Sequence, residues 1–422
     1  MNTTIQVAGN NDLYAEREKR LNDAIALRQP DRVPIIMNSL FWHTRHAGLS
    51  FRDAMYDYDG LSEATRKALD ELQPDAYVLP HPIMALGPTM EIMGYRQLKW
   101  PGHDGVSNDV PFQYLDKEYM KADEYADYLF DPTGFMLHKY LPRIATAFEP
   151  FAKLPIFPSL YYTRIIHFTR SFSNPDLVQA FQTLQKAGEE MGRMLGKTVQ
   201  FINDMAALGY PLAESATALS PYDLFADYFR GSKGVMLDMF MRKDILLEAL
   251  EKAAKLIPLQ AIPAAKNSRS KGVFIPLHWP GDGLMSPDQF KTFYWPPLRK
   301  VVMTLIENGL TPIMFWEGGC TSRLEHIMDI PPGKCVYFFE RTDIFKAKEI
   351  LGDRVCLRGN VPGTVMSAGN PDDIKAYCKK LIEVAGKGGG FIMDGGSGIP
   401  DESKTENVKA MFDATREYGA YT

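Results

Sequence analysis

Eight short apolar runs, most of them followed by a stretch of helical periodicity, leave this chain few architectures to fold into. The runs cover residues 33–37, 76–79, 210–213, 273–277, 311–315, 335–339, 355–357 and 390–393. They are continuous rather than alternating, as strands buried on both faces are. Such strands pair in parallel, and parallel neighbours need a crossover, usually a helix. Apolar periodicity predicts those helices at 13–27, 61–72, 238–256, 287–308, 322–330, 343–351, 371–385 and 405–418. The pattern is that of an α/β chain whose eight strands close into a (β/α)8 TIM barrel. A single barrel domain over 1–422 accounts for it, with two departures. Residues 95–115 carry Pro101-Gly102 and Asp104-Gly105 between extended pieces and read as a hairpin excursion. Residues 139–208 read as a helical insertion before the third strand, and 154–157 competes as a ninth strand.

Composition narrows the function classes. The chain is 45 % apolar and 23 % charged, with a net charge of −5 and no basic run, which offers nucleic acid no electrostatic footprint. Every apolar stretch is broken by charge before the ~18 residues a membrane span needs. The opening residues lack the layout of a secretory signal, so the expectation is a cytoplasmic protein. Cys320, Cys335, Cys356 and Cys378 form no CxxC and read as free thiols, with metal binding by the first three as the alternative.

In a (β/α)8 barrel the chemistry lies at the C-terminal ends of the strands. The polar residues just after the apolar runs are His43 and Arg45, His81, Glu214, His278, Glu317, Glu340 and Asp343, Asn360, Asp394 and Ser397. Histidines and carboxylates converging on one face suit a zinc ion, or equally a hydrogen-bonded rim around an organic substrate. Glu317 leaves its strand between Trp316 and two glycines, a poor setting for a merely solvated carboxylate. Glu340 follows four apolar residues and has Arg341 and Arg358 as alternative salt-bridge partners, while His278 precedes a Gly-rich turn. The aromatic content of 12 % includes Trp279 and Trp316 beside these positions, which suits a flat apolar ligand with few polar anchors. The loop from Asp394 to Gly398 matches no nucleotide-binding motif.

Four segments, in order, resemble the uroporphyrinogen decarboxylase superfamily. They are Glu18-Lys-Arg-Leu with Pro30-Asp-Arg-Val-Pro34, then His278-Trp-Pro-Gly-Asp-Gly-Leu-Met-Ser-Pro287 with Trp295-Pro-Pro297, then Gly352-Asp353 with Leu357-Arg-Gly-Asn360-Val361, and finally Asp394-Gly-Gly-Ser-Gly-Ile-Pro400 with Thr405-Glu-Asn-Val408. The resemblance implies the same barrel, as a homodimer. It does not carry the decarboxylase chemistry across. The second arginine of the substrate loop falls at Leu49, the catalytic aspartate at Pro82 and the last-loop histidine at Ser397.

The other large branch comprises zinc-dependent methyltransferases that work with corrinoid proteins. The thiol-type zinc motif of its coenzyme M enzymes falls at Phe315, Glu317 and Ser397, without its cysteines. Segments 112–125 and 221–231 resemble the O-demethylase components, whose zinc pattern is matched in part by Glu325 and Glu340 but meets Val361 at its third position. This resemblance implies transfer of a methyl group from a methoxylated aromatic compound to the Co(I) of a corrinoid (cobalamin) carried by a partner protein. Their places at the strand ends, rather than that motif, make Glu317 and Glu340 the expected Zn²⁺ ligands with His278 as the third, and Arg45, His81, Trp279, Trp316, Asn360 and Ser397 the expected substrate contacts. The alternatives are a decarboxylase-type lyase, methyl transfer from the corrinoid to an acceptor such as tetrahydrofolate or a thiol, and a catalytically silent scaffold.

Overall fold

A computed structural model describes residues 11–421. Its strands are β1 (Ile36–Met37), β2 (Ala76–Tyr77), β3 (Leu98–Lys99), β4 (Gln113–Tyr114), β5 (Ala216–Thr217), β6 (Gly272–Leu277), β7 (Thr311–Trp316), β8 (Val336–Phe339), β9 (Cys356–Arg358) and β10 (Phe391–Ile392). β5 to β10 pair in chain order as one parallel sheet, and β1 pairs with β2 in parallel. Two bridges close the ring. Tyr77 pairs with Leu212, just ahead of β5, and Ile35 pairs with Met393, just past β10. Eight staves therefore form a TIM barrel with no free edge. β3 and β4 stand apart as an antiparallel pair.

Alternation along the strands sorts the wall into two faces. Ile36, Ala76, Ala213, Ile313, Val336, Cys356 and Ile392 pack together inside the barrel. Their neighbours Met37, Tyr77, Ile275, Met314, Trp316, Tyr337, Phe339 and Leu357 join the larger core under the surrounding helices. The inner residues are mainly branched aliphatics interleaved with alanine and cysteine, which fill the interior as packed layers.

Several expectations change. Residues 154–157 form no strand; Ile156 and Phe157 are exposed and have no apolar face to join. The helix expected over 238–256 is two, Gly231–Met241 and Lys243–Leu256, and 322–330 holds a 3-10 turn, Thr321–His326. The helix expected over 287–308 runs as Pro287–Gln289, a π turn at Phe290–Tyr294 and Trp295–Glu307. Its start is set by a capping box between Ser286 and Gln289. The segment between β4 and β5 returns to the barrel through one long helix, Pro175–Ala207, of 33 residues. All four cysteines are buried and unpaired.

The end opposite the strand C-termini is sealed by the first helix, Asn11–Ile25. The fully buried Asp75 carboxylate accepts from Arg20 at 2.6 Å, from Arg32 at 2.7 Å and from the Ile35 amide at 2.9 Å. Removing one partner of a buried ion pair leaves the other charge uncompensated, at about 3–5 kcal/mol. Asp75→Ala is expected to lower unfolding free energy by about that amount in urea denaturation; a loss below about 1 kcal/mol, the range of a surface pair, contradicts the assignment.

Candidate functional site at the barrel mouth

The parity that turns Phe274, Phe315, Phe338 and Cys356 inward also decides what emerges at the top. Counting on in steps of two, twice from Phe274 and Cys356 and once from Phe315 and Phe338, reaches His278 beyond β6, Asn360 beyond β9, Glu317 beyond β7 and Glu340 beyond β8. His278, Glu317 and Glu340 line one cleft of about 300 Å³, together with Asp282, Leu284 and Arg341. Glu340 and Arg341 also border a larger hollow of about 680 Å³, whose other walls include Asn360, Tyr377 and Ser397. The mouth thus has two lobes that share the Glu340–Arg341 ridge.

His278 is the most heavily braced of these residues. Its Nδ1 lies 2.6 Å from Asp227 Oδ2, and its backbone N–H donates to Asp223 Oδ2 at 3.1 Å. The other Asp227 oxygen accepts from Trp279 Nε1 at 2.7 Å, and Asp223 Oδ2 also accepts from the Tyr294 hydroxyl at 2.9 Å. With Nδ1 engaged, Nε2 faces the cleft, 4.0 Å from Glu317 Oε1. Burial disfavours the imidazolium, but Asp227, Asp223 and Glu317 outweigh it and hold His278 up at about 9. Glu317 is raised in turn, first by burial and then by the nearby Glu340 and Asp227, against the pull of His278. Burial and the charge of Asp227 push Asp223 well above the carboxylate range. Asp223 and Asp227 lie four apart after the third stave, on one helical face, and sequence reasoning missed them as functional residues. The signal was there, since the i, i+4 spacing of two aspartates in an otherwise aromatic turn is unusual for a core face.

The zinc expectation meets a cleft in which one of the three candidate ligands is already engaged. Glu340 Oε2 accepts the Gly318 amide at 2.6 Å, and its other oxygen lies 3.6 Å from Arg341. Among the described residues no group of three or more His, Cys, Asp or Glu side chains is placed to hold a metal ion. His278, Glu317 and Glu340 share a cleft as two donors and a carboxylate committed elsewhere, which does not fit a three-ligand zinc site.

The expected substrate contacts divide. Asn360 and Ser397 line the larger lobe. Asn360 is fixed by donating to the Thr342 carbonyl at 2.9 Å and accepting from Tyr377 at 3.3 Å. Ser397 rides on a loop whose closure requires glycine, because a Cβ on Gly395 would stand 1.8 Å from the Gly398 carbonyl oxygen. Trp279 is tied to Asp227 beside the cleft. Trp316 is corrected: it points outward and is buried against Trp295, Tyr337 and Phe339. His81 is also corrected, being fully buried with Nε2 on Ser62 at 2.9 Å. Burial pushes His43 and His81 down to about 3 and about 4, so both are neutral. Arg45 is exposed on the short helix Trp42–His46, bonded to the Asp401 carbonyl at 3.3 Å and outside both lobes.

Residues 162–418 match the family model described as uroporphyrinogen decarboxylase (URO-D). The chain belongs to the URO-D family. The URO-D chain is 32 % identical over 142 residues to the uroporphyrinogen decarboxylase of Chlorobium phaeovibrioides, covering 32 % of this chain and 39 % of that one. Against the Pseudomonas fluorescens enzyme of the same name it is 29 % identical over 200 residues, covering 46 % and 53 %. The matches thus span about half or less of these relatives' length. A solved methyltransferase from Methanosarcina mazei shares the fold over 95 % of this chain and 98 % of its own, with a TM-score of 0.64 at 17 % identity. Among the described residues no helix is long and apolar enough to cross a membrane.

Deeper in the URO-D barrel, Arg358 bonds Asp394 at 2.8 Å and lies 3.6 Å from Glu214. Burial drives Glu214 up to about 7 and Asp394 up to about 6, although Arg358 lowers both. An acid whose folded pKa is raised contributes stability below its unfolded value and loses it as pH rises through the folded one. Between pH 4.5 and 7 the wild type is expected to lose up to about 3 kcal/mol that Glu214→Gln keeps, as read by urea denaturation across that window. Parallel pH profiles for the two proteins contradict it.

Proposed function

We propose that this URO-D family chain is a methyltransferase that moves a methyl group from a methoxylated aromatic compound to the Co(I) corrinoid of a separate carrier protein. The observation that carries the reading is His278 Nε2, aimed into an open cleft at the barrel mouth and braced through Nδ1 by Asp227. The methyltransferase from Methanosarcina mazei, alike over nearly the whole chain, supports methyl transfer as the reaction class. Positions 49 and 82, where the resemblance expects an arginine and an aspartate for a polycarboxylated substrate, hold Leu49 and Pro82 and disfavour porphyrinogen decarboxylation.

The chemical obstacle is the leaving group, because an aryloxide departs poorly at neutral pH. As Co(I) attacks the methyl carbon, its electron pair forms the Co–C bond and the C–O pair recedes onto oxygen. His278, held cationic chiefly by its hydrogen bond to Asp227, donates its Nε2 proton to that oxygen, so a neutral phenol leaves. Asp227 keeps the ring oriented and stabilises its charge, and it fixes Trp279 at the edge of the same cleft. Asn360, Tyr377 and Ser397 line the lobe beside it, across Glu340.

The test is spectral. The protein is mixed with photoreduced Co(I) corrinoid and a panel of methoxyarenes, and the methylated corrinoid is followed by absorbance. His278→Ala is expected to slow methylation by about 100-fold or more, the range of a lost general acid. Activity that vanishes on chelation and returns with Zn²⁺ overturns the imidazolium role. Silence across the panel, with Co(I) verified, overturns the aryl-ether donor, and release of CO₂ from carboxylated substrates without corrinoid replaces it with the lyase.

A further inference from the structure

Arg341 stands on the ridge between the two lobes of the mouth. It borders both the cleft of about 300 Å³ and the hollow of about 680 Å³. Among the described residues that line either lobe it is the one Lys or Arg, and His278 is the other cation. An exposed arginine is ordinarily a solvated surface charge of little consequence. This one is placed differently. Its backbone N–H donates to the Gly318 carbonyl at 3.2 Å, and Glu340, just before it in the chain, accepts the Gly318 amide at 2.6 Å. Gly318 has φ +72°, and a Cβ there would lie 3.6 Å from Arg341 Nη2, so the guanidinium rests over the turn at the rim of the cleft.

The carboxylates around it have partners of their own. Asp282 accepts from the Ser322 hydroxyl at 2.7 Å and from the Ser322 amide at 3.2 Å, and it faces the buried Arg323 at 3.6 Å. Asp343 caps the helix Ile344–Leu351 through the amides of Phe345 and Lys346. Glu317 lies 4.0 Å from the His278 imidazole. Arg341 reaches Glu340 through Nε at 3.6 Å, outside hydrogen-bond distance, and its side chain makes no hydrogen bond among the described residues. Both Nη groups are therefore free for the two parallel bonds with which a guanidinium takes a carboxylate.

We propose that Arg341 determines the substrate class of this mouth by binding a carboxylate on the aromatic ring, across the ring from the ether oxygen that meets His278. The proposal rests on the methyl-transfer reading of the cleft. Spacing selects the arrangement. His278 follows β6 and Arg341 follows β8, two staves on, and neighbouring strands lie about 5 Å apart, so the two cations emerge roughly 10 Å from each other. That gap takes a benzene ring with its two groups meta or para, and one hydrogen bond at each end. An ortho pair would leave one cation unmet, and a neutral methoxyarene would leave the guanidinium unpaired. Arg45, the arginine expected at the substrate, borders neither lobe, which leaves Arg341 as the one within reach.

Calorimetric titration of the full chain with 4-hydroxybenzoate, the demethylated product, and with 4-hydroxybenzamide, its uncharged counterpart, tests the site without any corrinoid. The wild type is expected to bind the acid about tenfold or more tightly than the amide, by a margin that shrinks as salt is raised. Arg341→Gln is expected to erase that margin, and Arg341→Lys, which keeps the charge but not the fork, to restore part of it. In methyl transfer from 4-methoxybenzoate, Arg341→Gln is expected to raise KM about tenfold or more with a far smaller change in kcat, the mark of lost binding rather than lost chemistry. Equal affinity of the wild type for acid and amide overturns the proposal, as does the absence of binding by either. So does a preference for the acid that survives in Arg341→Gln. Acid binding that depends on Arg341, in a protein that methylates no corrinoid, upholds the carboxylate site and overturns the methyl-transfer reading instead.

Discussion

Closing eight parallel strands into a ring forces every strand to end on the same side, and the rest of this structure follows from that constraint. The ring leaves no unpaired edge, so the wall needs no protection from other chains, and it divides side chains into an inner and an outer set by parity alone. One end is closed by the first helix and the buried Asp75 network. The other end receives whatever residue follows each strand. Five consecutive staves, β6 to β10, supply His278, Glu317, Glu340, Asn360 and Ser397 to the two lobes. The staves of β1 and β2 supply His43 and His81, which are sealed and neutral. The mouth is chemically one-sided.

Holding charge at that mouth has a physical cost, since carboxylates partly removed from water resist ionisation. The structure offsets it by pairing. Asp227 spends both oxygens on His278 and Trp279, and Asp223 takes a backbone amide and a tyrosine hydroxyl. The imidazole is thereby fixed in position and in charge by groups that do not themselves line the cleft. Glu214, with only a distant guanidinium as partner, stays nearer to its neutral form.

Much of the fold was legible because continuous apolar runs separated by helical periodicity admit so few closed sheets. The third stave was harder, as its pairing is split between Leu212 and β5 and the apolar run covers only its start. The insertion was legible as helical but not in its form, because a single 33-residue helix and a solvent-facing 3-10 turn carry the same local propensities. Within the site, His278, Glu317 and Glu340 follow from the rule of strand ends, and they do share a cleft. Trp316 was misplaced although parity alone would have turned it outward, one residue before Glu317. His81 was misplaced because proximity to a strand end does not reveal burial. Asp223 and Asp227 belong to a helix rather than a strand end, where that rule does not look.

The four cysteines have a bearing on chemistry that their packing alone does not suggest. Thiolates are the soft nucleophiles of a protein and compete for any electrophilic carbon. Here every thiol is enclosed, and burial pushes Cys320 up to about 12 and the other three upward as well. The barrel therefore exposes no sulfhydryl to an alkylating electrophile. A protein built this way resists alkylating reagents, and any cysteine placed on its surface would be a unique point of attachment.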